Sequence, residues 1–209
     1  MYSSAHSGSN ESNLIAFPMA ATSKTALLVQ VDPFQSEVWS TALASQSITV
    51  IKEGADVDLS NMLGQMASAG LTLPDLIIVD MATEGMNPFA FCRFCREQHP
   101  SVKVLLTNST QTQIAESEQR WAMSQGAQDL LPAFQTDSLL TDLLTALGRT
   151  SGVLGLPNLD QQALIQILPK LLEPKAEATE TVALPAPSVA EPSVPPAPKA
   201  QRTYRGRPY

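Results

Sequence analysis

The stretch PDLIIVDMATEGMNPFAFCRFCR, residues 74–96, carries the clearest structural signal in the chain. Its Leu76-Ile77-Ile78-Val79 run is apolar without alternation and ends on Asp80. That is the pattern of a strand covered on both faces, as in a parallel sheet. Residues 88–98 then read as a helix. Upstream, residues 26–31 form a short run of branched apolar side chains ending at Asp32-Pro33, and 48–51 a second strand. A helix over 36–45 places Val38, Trp39, Ala42 and Leu43 on one face, with Ser36 or Asp32 as its cap. Residues 59–69 form another through Leu59, Met62, Leu63 and Met66.

Downstream the alternation continues: a strand over 102–106, a helix over 112–125 closed by Gly126, a strand over 128–131 and a helix over 136–147. Five strand–helix repeats within about 125 residues predict an α/β domain with right-handed crossovers and helices on both faces. The expected fold is flavodoxin-like and doubly wound, a five-stranded parallel sheet in the order 2-1-3-4-5. The organisation reads as a disordered, or at most loosely docked, lead over 1–24 with one apolar stretch at 14–17, and the α/β domain over 25–148. An extra helix lies within 149–173, interrupted by Pro169, followed by a proline-rich linker over 174–199 and a basic terminal peptide over 200–209.

The chain has 209 residues with 13 Lys+Arg against 20 Asp+Glu, a formal charge of −7. Residues 199–209 carry +4 and no acid, which leaves −11 on everything before them. An acidic body argues against phosphate-directed nucleic-acid binding. No apolar run approaches the length of a membrane span, and residues 1–24 lack the pattern of a secretory signal, so a cytoplasmic protein is expected. Cys92 and Cys95 lie three apart on one helix in register with core positions, and no second pair completes a zinc site. Trp39 and Trp121 read as core residues against the sheet, and His99 as the end of a helix.

In the 2-1-3-4-5 order, ligands bind beyond the carboxyl ends of strands 1 and 3, where Asp32 and Asp80 fall. Two carboxylates meeting there suit a phosphoryl group or a hard cation. The quoted stretch resembles the centre of a response-regulator receiver (CheY-like) domain, with Asp80 at the phosphoacceptor position and Gly85-Met86 in register after it. Val104-Leu105-Leu106-Thr107 is similar to the family's fourth strand, with Thr107 as the switch residue. WAMSQGAQDLLP, residues 121–132, is similar to its approach to strand 5. The resemblance spans roughly residues 25–147.

The departures are specific. Receivers end strand 1 in two adjacent acids that hold Mg²⁺ with the phosphoacceptor; here Gln30 and Val31 stand there, and Asp32 follows one place late. A one-residue shift makes Asp32 the second acid but spoils the helix face of Val38 and Trp39. The family lysine after strand 5 falls on Ala133. A Mg²⁺ held by Asp32 and Asp80 is therefore weakened sharply, and an acyl-phosphate would lack its cation.

The resemblance implies a pseudo-receiver: a signalling protein acting by protein–protein contact in a phosphorelay (two-component) context. It implies neither a DNA-binding output nor an enzyme active site. In the phosphorylated version Asp80 takes the phosphoryl group from a histidine kinase, and Thr107 moves to meet it. The alternative is a constitutive adaptor whose tail captures a second protein. That tail, with Tyr204, Arg205, Arg207 and Tyr209, is similar to a short Thr-Tyr-Arg-Gly motif of small cyanobacterial proteins. Its arginines and tyrosines suit stacking and carboxylate pairing. The helix over 158–172 either packs back on the domain or serves a dimer or partner contact.

Overall fold

Five short strands and six helices alternate in the computed structural model, which describes residues 23–156 and 159–172. The linker, the terminal peptide with Tyr204, Arg205, Arg207 and Tyr209, and nearly all of the 1–24 lead lie outside the described residues. In chain order the elements are β1 (Thr25–Val29), α1 (Pro33–Ser45), β2 (Thr49–Glu53), α2 (Leu59–Ser68), β3 (Leu76–Asp80) and α3 (Pro88–Gln98). Then come β4 (Lys103–Asn108), α4 (Glu116–Ser124), β5 (Asp129–Pro132), a 3₁₀ turn at Thr136–Ser138, α5 (Leu139–Leu154) and α6 (Gln161–Leu172). The sheet order is β2-β1-β3-β4-β5 and every pair is parallel. This is the flavodoxin-like fold expected from the alternation.

Because strand side chains alternate between faces, the unbroken apolar strands feed two cores. Ala26, Leu28, Leu76, Ile78, Leu105 and Leu131 pack beneath α1, α5 and α6. Leu27, Val29, Ile77, Val79, Leu106 and Leu130 pack beneath α2, α3 and α4. Trp39 of α1 is fully buried in the first core, its ring 5.0 Å from that of Phe134. Cys92 and Cys95 are buried in the second, and burial pushes both thiols up to about 12.

Several boundaries differ from the sequence reading. Asp32, not Ser36, caps α1, accepting the Gln35 N–H at 2.9 Å, so the helix begins three residues earlier with Pro33 at its first position. α4 starts at Glu116 because residues 109–115 wrap the sheet end, where the Gln111 carbonyl accepts the Ala133 N–H at 2.8 Å. α5 passes the expected end at Leu147 and stops at Gly155, which takes the left-handed conformation at φ 66°. α6 runs through Pro169, which lies on its exposed side, to Leu172. It packs back on the domain, burying Leu164 completely. Gln46 at the end of α1 fastens its entry, donating to the Asp160 carbonyl (3.2 Å) and accepting its N–H (2.8 Å).

Trp121 is not a core residue. α4 turns Ala122 into the sheet, leaving Trp121 57% and Met123 50% exposed on either side. Three consecutive apolar residues do not declare which faces inward, and the smallest allows the closest helix–sheet approach. Trp121 instead meets Phe89 of α3 edge-on at 6.5 Å.

Two features that fix the fold are open to test. Gly126 sits at φ +110°, and a Cβ there would lie 2.9 Å from the Cys92 carbonyl oxygen. Gly126→Ala is expected to cost roughly 2 kcal/mol in urea denaturation. Asp75 joins the start of β3 to that of β1, accepting from Lys24 Nζ at 2.7 Å and Thr25 N at 2.9 Å. Partial burial raises its carboxyl, but these hydrogen bonds and the Lys24 charge outweigh it, so the folded value lies below the ordinary 3.8. A lowered folded-state pKa gives stability that is present above 3.8 and lost as pH falls through the folded value. Asp75→Asn should cost about 1 kcal/mol at neutral pH, and its deficit against the parent should shrink in denaturation curves taken at progressively lower pH.

Candidate functional site

The carboxyl ends of β1, β3 and β4 meet in register. Val29 pairs with Val79 and Asp80 with Thr107, which brings Gln30, Asp80 and Thr107 to one level. Two-residue periodicity aims all three toward the α1/α5 face, in line with Leu28, Ile78 and Leu105. Gln30 Nε2 donates to Thr107 Oγ1 at 2.9 Å and to the Val29 carbonyl at 3.1 Å. The Thr107 hydroxyl has Gln30 Oε1 (3.2 Å) and the Val79 carbonyl (3.4 Å) as acceptors for its own proton. Thr107 is buried and held inward by these partners.

Asp80 is fully buried. Its Oδ1 accepts the Ala82 N–H at 3.0 Å and the Ser109 N–H at 3.4 Å, while Oδ2 has no hydrogen-bond partner. No ion pair among the described residues involves Asp80. The position after β5 is Ala133, which is buried and brings no positive charge. Asp32 is exposed and serves α1 as its cap. Of the candidate residues, then, the structure joins Thr107 to Asp80 across the strand pair and gives Asp32 a separate structural task.

A hard octahedral cation needs several oxygen ligands, carboxylates foremost. Among the described residues no group of three or more His, Cys, Asp or Glu gathers anywhere. The site offers Asp80 Oδ2 and an amide oxygen already within hydrogen-bond distance of Thr107. This donor set does not fit Mg²⁺.

Gln35 is the residue that sequence reasoning missed. It is buried, and its amide closes a ring with the backbone after β5: Nε2 donates to the Phe134 carbonyl at 3.0 Å and Oε1 accepts the Phe134 N–H at 2.9 Å. The pair fixes the β5–α5 loop against α1, where Phe134 packs on Trp39. The available signal was spacing, since Gln35 lies three and four residues before Val38 and Trp39 on the buried face.

No protein-family model matches the chain, and no curated protein does. Solved structures are similar to it. One is the signal receiver domain of the putative response regulator NarL from Mycobacterium tuberculosis, at 21% identity and TM-score 0.45, covering 62% of this chain and 97% of that one. A response regulator from Thermotoga maritima has 19% identity and TM-score 0.48, covering 64% and 98%. An atypical orphan response regulator, whose structure is described as revealing a phosphorylation-independent regulatory mechanism, has 17% identity and TM-score 0.46, covering 64% and 98%. No helix among the described residues is long and apolar enough to cross a membrane.

Removing the Gln35 amide strands the buried Phe134 N–H and leaves its carbonyl with the Gln135 Nε2 donor alone, at 3.3 Å. Gln35→Ala should therefore cost roughly 2–4 kcal/mol. Gln35→Leu, which refills the volume, should recover only a minor part in chemical denaturation.

Proposed function

We propose that this chain is a receiver-like signalling module that acts by protein–protein contact in one fixed state, without phosphoryl transfer. The observation that carries the reading is the bond from Gln30 to Thr107. A phosphorylation switch needs the hydroxyl free to exchange between a resting partner and the phosphate. Here a side chain of the same protein occupies it. Two other features support the reading. Asp80 lacks a paired cation among the described residues, so a nearly doubly negative phosphoryl group there would meet no counter-charge. The donor set around it is also too poor for Mg²⁺.

The exposed Trp121 and Met123 on α4 supply apolar contact area of the kind protein interfaces use. The terminal peptide, with Tyr204, Arg205, Arg207 and Tyr209, is proposed as a second binding element for an acidic partner. Its support is the separation of +4 in residues 199–209 from −11 in the rest of the chain.

The test is a titration of the whole chain with beryllofluoride at millimolar Mg²⁺, followed by amide NMR. The Ala82 and Ser109 amides donate to Asp80 Oδ1 and report directly on it. No saturable shift at either amide is the expected result. Saturable shifts at both overturn the reading and make Asp80 a working phosphoacceptor.

A further inference from the structure

A second concavity lies at the open edge of the sheet, apart from Asp80. A groove of about 400 Å³ runs between β1, β2 and α2. Its lining is apolar at Leu27, Ile51, Met62, Met66 and Leu73, with Thr25 and Thr49 at one end and Glu53 in its wall. The groove stays open because α2 sends only Leu59 and Leu63 fully into the core. Met62 and Met66, one turn apart, are left half-buried facing it, and Ile51 is 42% exposed. β2 is also the edge of the sheet. Thr49 N donates to the Lys24 carbonyl at 2.8 Å, so by the alternation of a parallel ladder the Val50 and Lys52 N–H groups point away from β1. An apolar groove beside strand-edge groups that have no partner among the described strands is a template for one more extended segment.

The chain itself delivers such a segment. It enters the described structure at the Thr25–Thr49 end, where Ser23 Oγ lies 3.1 Å from Thr49 Oγ1. Residues 14–17, Leu-Ile-Ala-Phe, are the one branched and aromatic run of the lead and stop six positions before Ser23. Six extended residues reach about 20 Å, and a five-residue strand spans about 17 Å, so the run can reach any part of the groove. Pro18 follows it directly and donates no N–H, which suits the point where a segment leaves a sheet edge.

We infer that residues 14–17 seat in this groove, their side chains against Ile51, Met62 and Met66 and their backbone along β2. Methionine side chains adapt well to such a docked segment. The short tether holds it at an effective concentration near millimolar, well above that of a free competitor. The segment then covers the edge that would otherwise pair with another chain.

The experiment compares the full-length parent with the full-length double variant Ile15→Asp/Phe17→Asp, using methionine-methyl NMR and amide hydrogen exchange. Met62 and Met66 methyl signals should shift while Met123, on α4, stays in place as the folding control. Exchange at Val50 and Lys52 should quicken roughly tenfold. A peptide of residues 10–20 added to the variant should restore the parent signals. Identical Met62, Met66, Val50 and Lys52 behaviour in parent and variant overturns the inference. So do parent signals that move toward the variant's on dilution, because the occupant is then a second copy.

Discussion

The amide ring between Gln35 and the Phe134 backbone holds the functional end of this domain together. Buried backbone groups must find partners, and the loop leaving β5 places its N–H and carbonyl where no strand can reach them. Gln35 supplies both complements from one side chain. The ring seats Phe134 on Trp39, which ties the β5–α5 loop to the centre of the first core. Gln46 repeats the device at the far end of α1, closing on Asp160 and setting α6 across α1 and α5. α1 is thus pinned at both ends by neutral, two-way hydrogen bonds.

The same substitution of neutral for charged chemistry marks the Asp80 site. Two strand-end acids and a lysine would make a site whose state depends on metal, phosphate and counter-ion. Here the neutral Gln30 and Ala133 stand beside one buried carboxylate whose Oδ2 has no hydrogen-bond partner among the described residues. A buried charge without an ionic partner costs stability. That Asp80 keeps its place follows from its other work: Oδ1 gathers the Ala82 and Ser109 amides, and its backbone carbonyl accepts from the Thr83 hydroxyl at 2.7 Å. It organises the β3–α3 and β4–α4 loops whether or not anything is ever attached to it.

The repeats themselves were legible in the sequence because they rest on unbroken apolar strands, which no other soluble architecture explains as simply. Pro88 and Gly126 marked helix boundaries through backbone chemistry that acts locally. Asp80 was legible through its place at a strand end, and Thr107 through the resemblance carried by Val104–Thr107. What did not show was what Gln30, Gln35 and Gln46 do, because their partners lie 77, 99 and 114 residues away. A glutamine on a helix face carries no mark of the backbone group it will meet. Trp121 failed for the opposite reason, since its local pattern was too apolar to choose a face. The reach of α5 to Leu154 was hidden by Gly148 and Gly152, which lower helix propensity but are tolerated where packing supports the helix.

A two-state switch requires two arrangements that differ by only a few kcal/mol. Opening the Gln35 ring leaves both of its amide atoms and the Phe134 N–H without partners in a buried site, and freeing Thr107 breaks its bond to Gln30 at the same end of the sheet. Both linkages lie at the carboxyl end of the sheet. Amides also do not titrate, so no pH change weakens them as it weakens the Asp75–Lys24 pair. The adaptable parts are therefore sought at the sheet's other boundary, where the outer edge of β2 has no partner among the described strands and Met62 and Met66 line a groove, and on α4, where Trp121 is more than half exposed beside Phe89. Rigidity at the carboxyl ends of β1, β3 and β4 and openness along β2 follow from one cause: polar groups are closed on one another in the first place and left without partners among the described strands in the second.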